Sequence, residues 1–321
     1  MGEMVGRPFG KDDVVAWQRL CAAAERVDRT GENYSVEDLV EELSDPDFDV
    51  ARDTWSFWSG DTMLAYGKVF GSATVRDVDR VQVEAMVDPE YRRQGLGTRM
   101  LDWLLARAAE WHAERHPDFP GLASVRAYGP NAGQRALLEG AGFAPTRHWF
   151  GMERPLTEEI SPAPVPEGLR LVPFDMAYSE ATREAHNEAW VDHYGFAGSD
   201  QQSWATWKVG QRAFRPALSY LLLSDDDTVA AYLLSHEYDA DTAATGKRSA
   251  YVGPVGTRLE WRGRGAMSAL FAHALTAFRA DGFAESSLDV DSANPTGALS
   301  LYERAGYHAT REWISYTRPL S

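Results

Sequence analysis

The sequence predicts two tandem α/β domains, each a mixed sheet flanked by helices. Three observations carry this reading. First, one pattern occurs twice: Tyr91-Arg92-Arg93-Gln94-Gly95-Leu96-Gly97 and Trp261-Arg262-Gly263-Arg264-Gly265-Ala266-Met267. Each copy is followed by a glycine-aromatic pair, Gly142-Phe143 and Gly306-Tyr307, and then by Arg-Pro-Leu ending at Leu156 and Leu320. The offsets between the copies are 170, 164 and 164 residues, and ordered landmarks at near-constant spacing mark a repeat of domain size. Second, both halves place strands first and then helix, strand, helix and strand, the order of an α/β layer. Third, residues 157–168 hold Pro162, Pro164 and Pro166 without helical or strand period, as a stiff linker would. The expected division is therefore 1–156, a linker at 157–168, and 169–321.

In the first half, Asp12 to Val27 and Ser35 to Leu43 carry helical spacing. Residues 53–58 and 62–70 read as strands around the Gly60-Asp61 turn. Val81, Val83, Ala85 and Val87 alternate, which makes a strand that runs into the first glycine motif. Leu101, Leu104, Leu105 and Ala108 then recur at helical spacing. A strand at 124–128 and a helix from Asn131 to Glu139 follow. The second half repeats the order. Helices are expected over 179–192 and 201–211, and strands over 218–223, 229–238 and 250–257. Leu270, Phe271, Ala274, Leu275 and Phe278 form the next helical stripe, before a strand at 287–290 and a helix at 298–304.

Of the 321 residues, 44% are apolar and 25% charged, as in a folded soluble chain. No run approaches the ~18 apolar residues of a membrane span. No basic-then-apolar leader opens the sequence, so the expected compartment is the cytoplasm. A net charge of −16 argues against nucleic acid as a partner, because a polyanion attracts a basic surface. Cys21 is the only cysteine, which excludes an intramolecular disulfide and a cysteine-based metal cluster. It lies on an apolar helical face and reads as a core residue, and no metal is expected. A homodimer is left open.

A strand, then Arg-x-x-Gly-x-Gly, then a helix has a specific capacity. The first turn of a helix leaves amide groups without intrahelical partners, and the helix dipole adds partial positive charge there. Glycines let an anion approach the backbone, and arginines add charge-assisted donors. Together they form a cradle for phosphate. The pattern lacks the Gly-Lys-Ser/Thr of a nucleotide P-loop and the strand–GxGxxG signature of dinucleotide folds.

Val87 to Gly97 resembles motif A of the GNAT superfamily of acetyl-CoA-dependent N-acetyltransferases. Residues 262–267 resemble the same motif, with Met267 where Gly or Ala is usual. Asn294-Pro295-Thr296-Gly297-Ala298-Leu299-Ser300-Leu301-Tyr302-Glu303-Arg304-Ala305-Gly306-Tyr307 resembles motif B. Tandem chains of this kind are similar to the mycothiol synthase-like group, which implies a catalytic C-terminal domain. The resemblance implies that Arg262, Gly263, Arg264, Gly265, Ala266 and Met267 hold the diphosphate of coenzyme A. It further implies that Val255 and Thr257 flank the pantetheine arm and that Asn294 contributes to the site. In the first half the counterparts are Val87, Arg92, Arg93, Gln94, Gly95, Leu96 and Gly97.

The implied reaction joins acetyl-CoA to the primary amine of a small molecule. Tyr302 occupies the motif B position that protonates the departing thiolate. Aligning the glycine-aromatic pairs sets Leu138 opposite Tyr302, so the first half lacks this acid and is expected to be non-catalytic. The group's glutamate, eleven residues before motif A, is replaced by Tyr251. Glu237 and His236 on the neighbouring strand are the candidate substitutes as base, and Glu84 reads as a solvated strand residue. The segment Ala189-Trp190-Val191-Asp192-His193-Tyr194-Gly195-Phe196 suggests an aromatic pocket wall, and Asp192 favours a cationic amine. A non-catalytic acyl-CoA-binding or sensing protein on the duplicated fold is the alternative reading.

Overall fold

The computed structural model describes residues 4–294 and 297–320; Pro295 and Thr296 of the motif B segment lie outside the described residues. The chain forms two compact units, Met1–His148 with Glu312–Ser321, and Trp149–Arg311. This corrects the sequential division at 157–168, a stretch that lies wholly inside the second unit. Two long strands pass from one unit into the other, and a strand's sequence states its period but not the sheet edge it joins.

The first unit contains β1 (Met4–Arg7), α1 (Val14–Asp28), α2 (Val36–Glu42), α3 (Val50–Asp53), β2 (Thr54–Ser59), β3 (Thr62–Phe70) and β4 (Asp79–Val87). It continues through α4 (Leu96–Arg115), β5 (Gly121–Tyr128), α5 (Ala132–Gly140) and the start of β6 (Ala144–Pro155). Its sheet runs β1-β2-β3-β4-β5 and is completed by residues 313–319, antiparallel to residues 122–128 of β5. Among the described residues of this unit only β4 and β5 pair in parallel. Leu96, Met100, Leu104, Ala108 and Trp111 of α4 bury one stripe on Val81, Val83, Ala123 and Tyr316. On the other face Trp17, Leu20 and Cys21 of α1 pack on Tyr66. Cys21 is core, as expected, and burial pushes its thiol pKa up to about 12.

The second unit opens with residues 149–155 of β6 and continues with β7 (Leu169–Pro173), α6 (Ser179–Ala189), α7 (Gln201–Trp204), β8 (Tyr220–Ser224) and β9 (Val229–His236). Then come α8 (Asp239–Thr245), β10 (Ser249–Thr257), α9 (Ala266–Ala280), β11 (Glu285–Asp291), α10 (Ala298–Arg304) and the start of β12 (His308–Pro319). Its sheet runs β7-β8-β9-β10-β11 and is closed by residues 149–155 of β6, antiparallel to β11. Leu270, Phe271, Ala274 and Phe278 of α9 cover one face. Ala185 of α6 and Trp204 of α7 lie on the other, against Leu221, Leu223, Tyr232 and Leu234.

The expected helix at 201–211 is broken: after Trp204 the chain makes a π-helical turn, Ala205–Val209. The expected strand 229–238 stops at His236, and α8 was not anticipated. The internal repeat holds at atomic level. Phe143 donates its amide to Leu138, and Tyr307 donates its amide to Tyr302, both at 3.0 Å. Leu138 and Tyr302 are therefore counterparts in space as well as in sequence.

Candidate active site

In each unit the two parallel strands pair at one end and part at the other. In the second unit, β10 pairs with β11 only through Ser249–Tyr251 and Glu285–Ser287, although β10 continues to Thr257. The open end lies at the start of the glycine motif. On its other side β10 bulges against β9, with Val252 opposite Ser235 but Val255 opposite Leu233. The bulge falls at Gly253 and Pro254, and proline suits it because it has no amide to donate to a ladder. Beyond the bulge, Arg258 donates to Ala230. Antiparallel alternation then turns the amides of Val255 and Thr257 away from β9, toward the gap. Their carbonyls are occupied: Trp190 Nε1 donates to Val255 at 2.9 Å and Arg262 Nε to Thr257 at 3.3 Å. In the first unit β4 pairs with β3 in unbroken register from Gln82 to Val87 and has no bulge.

The glycine loops superimpose in role. Gly95 (φ +82°) and Gly265 (φ +88°) stand at the N-caps of α4 and α9 in the left-handed region. Neither end has a side-chain cap, and a Cβ built on either glycine would meet open space. Arg264 is exposed and stacks over Trp261, 4.8 Å from the ring centroid. Met267 turns its side chain into the core rather than the loop, so the departure from the motif leaves the cradle clear.

Tyr302 is buried in the second unit beside Phe271, with ring centroids 5.4 Å apart. Burial pushes its pKa up to about 12, so the phenol keeps its proton at neutral pH.

The comparisons with known proteins agree with this geometry. The family model described as "Acetyltransferase (GNAT) family" matches residues 21–129 and 179–307. The chain belongs to the GNAT acetyltransferase family. A mycothiol acetyltransferase of Thermobispora bispora is 30% identical, over 77% of this chain and 79% of the relative. One of Parafrankia is 26% identical over 96% of this chain and 95% of the relative. Among solved structures, a GCN5-related N-acetyltransferase from Sphaerobacter thermophilus shares the fold, with a TM-score of 0.77 and 24% identity over 99% of this chain and 96% of that one.

Within this GNAT frame, several residues take roles other than those expected. Arg262 has protein partners of its own: it donates to Thr257 and Ala189 and lies 3.6 Å from Asp192. Arg92 is likewise committed, donating to Val87 and, bidentately, to Asp28 at 2.7 and 2.6 Å. Both arginines tie the loop to the end of the first long helix of their unit, which is a positioning role. Arg93 and Gln94 are exposed, and Leu96 is core.

Glu237 is corrected as a base. It follows β9 where that strand faces the start of β10, four residues beyond Leu233, the partner of Val255, or about 13 Å along a strand. Its carboxylate accepts from Arg248 at 2.8 Å and Arg215 at 3.1 Å, and these hydrogen bonds hold its pKa low. Glu84 is not merely solvated: it accepts from Tyr66 at 2.8 Å and pairs with Lys68 at 3.1 Å.

Sequence reasoning missed a buried dyad. His186 Nδ1 lies 2.5 Å from the Tyr232 hydroxyl, and that ring packs on Gly256, where a Cβ would approach it to 2.5 Å. Burial, then the nearby Lys208 charge, lowers the His186 pKa to about 3, so this imidazole is neutral. The only signal in the sequence was the helical spacing of His186 and Trp190, which any core helix could share. Among the described residues no group of acidic, cysteine and histidine side chains could hold a metal, and no helix is long and apolar enough to cross a membrane.

Proposed function

We propose that the chain transfers the acetyl group of acetyl-CoA to a primary amine of a small molecule, and that the second unit does so. The observation that carries this is the coincidence, in that unit alone, of the strand bulge at Gly253-Pro254 and Tyr302. The side-chain-free positions Gly263 and Gly265 and the uncapped start of α9 fit a diphosphate, with Arg264 beside them. The Val255 amide faces the gap, where a donor would stabilise negative charge on the carbonyl oxygen during attack. The amine nitrogen forms the new C–N bond, the C–S bond breaks, Tyr302 gives its proton to the sulfur, and the proton the nitrogen loses returns through water to the Tyr302 oxygen. In the first unit Leu138 has no proton to give, so that unit is proposed to be non-catalytic. Tyr251 in place of the glutamate argues for an acceptor other than the one the relatives' name describes.

Calorimetric titration with acetyl-CoA, followed by thiol release over a panel of primary amines, tests the proposal. Binding heat and amine-dependent thiol are expected; absence of both rejects it. The loops provide a sharper check. Gly265→Ala forces an L-residue to φ +88°, which costs roughly 1–2 kcal/mol and is expected to weaken acetyl-CoA binding at the second unit about tenfold. Gly95→Ala carries the same backbone penalty at the first unit and is expected to leave turnover unchanged. Equal losses of turnover would place chemistry in both units.

A further inference from the structure

In the second unit β10 leaves β11 after Tyr251, so among the described residues no strand lies beside Val255 on the gap side. A side chain takes the place of that ladder. Trp190 Nε1 donates to the Val255 carbonyl at 2.9 Å. In an antiparallel ladder the N–H and C=O of one residue point to the same side. The indole nitrogen therefore reaches the gap beside the Val255 amide.

The indole is itself held. Trp190 is the C-cap of α6 and donates its amide to the His186 carbonyl at 3.0 Å. Its ring centroid lies 4.9 Å from that of His186, 4.3 Å from that of His193 and 6.0 Å from that of Phe196. Neighbouring contacts close on the next two strand residues. Ala189 and the Tyr232 ring crowd Gly256, where a Cβ would meet them at 2.9 and 2.5 Å. Arg262 donates to the carbonyls of both Thr257 and Ala189. The end of α6 thus grips residues 255, 256 and 257 in succession.

The first unit repeats one part of this grip. Arg92 reaches Val87 and Asp28, the last residue of α1, as Arg262 reaches Thr257 and Ala189, the last residue of α6. The residue that follows is Arg29 in one unit and Trp190 in the other, each the C-cap of its helix. The indole belongs to the unit that carries the bulge and Tyr302.

We propose that Trp190 is a positioning residue for acetyl transfer: its indole N–H fixes Val255 so that the Val255 amide meets the thioester carbonyl oxygen. The inference rests on the acetyl transfer proposed above and adds the group that aims its donor. A donor held in advance costs no reorganisation when charge develops on the oxygen. A bulged strand without a neighbour is free to turn its peptides, and a misplacement of about 1 Å can cost roughly 10²-fold in rate. No bond forms or breaks at Trp190 itself.

Two substitutions remove the N–H. One is Trp190→Phe, and the other replaces Trp190 with benzothienylalanine, which keeps the bicyclic ring and its stacking. The natural protein and both variants are titrated calorimetrically with acetyl-CoA labelled with heavy carbon at the acetyl carbonyl, and the infrared stretch of that carbonyl is recorded in each complex. Binding heat is expected to persist. The carbonyl stretch is expected to rise in both variants as its hydrogen bond weakens, and kcat with the fastest amine of the panel to fall about tenfold or more. The isostere decides the outcome if the phenylalanine variant loses its fold. An unmoved stretch or an unchanged kcat in the isostere overturns the inference. Loss of binding heat in step with kcat also overturns it, since Trp190 would then support the fold alone. Absence of binding heat from the natural protein rejects acetyl transfer, whereas heat with an unmoved stretch rejects only the role of Trp190.

Discussion

Replacing Tyr302 with phenylalanine is expected to lower kcat by about 10² or more, the usual contribution of a positioned proton donor. Phenylalanine keeps the ring that packs 5.4 Å from Phe271 and 6.4 Å from Tyr307, so the fold and acetyl-CoA affinity are expected to hold. The departing thiolate has a conjugate acid near pKa 8.5, and without the phenol it must draw its proton from water. Thiol release gives the rate and calorimetry gives the affinity. A Tyr302→Phe enzyme with unchanged kcat would remove this residue from the mechanism. The reciprocal change, Leu138→Tyr, is expected to create no activity, because β4 has no bulge to turn an amide into position. The spatial equivalence of residues 138 and 302 makes this a controlled comparison within one chain.

Removing residues 312–321 is expected to unfold the first unit while sparing the second, whose residues end at Arg311. The deletion strips β5 of its neighbour over residues 122–128 and takes Ile314 and Tyr316 out of the core. Those two side chains are 6% and 1% exposed, and each is worth roughly 1.5–3 kcal/mol of burial. Adding the unpaired amides of β5, the loss is a large share of the ~5–15 kcal/mol stability of a domain. Hydrogen exchange reads the result directly. Protection is expected to vanish from the β5 amides and to persist in β9 and β10. Unchanged protection in β5 would show that the terminal strand is dispensable.

Much of this arrangement was legible in the sequence because it depends on local chemistry. Positive φ at Gly265 and uncapped amides at Ala266 follow from glycine placement and helix geometry. The opposition of Leu138 and Tyr302 follows from counting back from two glycine-aromatic pairs. What failed to show depends on register and on distant partners. Glu237 is one residue beyond His236, yet only the pairing of β9 with β10 reveals that it faces the closed end of the gap. Arg262 has the spacing of a phosphate ligand, but Ala189 and Asp192, some seventy positions earlier, claim its guanidinium. The break after Trp204 is invisible because a π-helical turn has no period to read.

The passage of two strands between the units also bears on how the polypeptide is made. Residues 313–319 leave the ribosome after every residue of the second unit, yet they complete the sheet of the first. The usual order, in which the N-terminal domain matures while the rest is still being translated, is therefore reversed for this pair of units. Until residues 313–319 emerge, β5 presents an open edge of the kind that recruits foreign strands. The nascent chain thus carries an aggregation hazard from the emergence of β5 to that of residues 313–319.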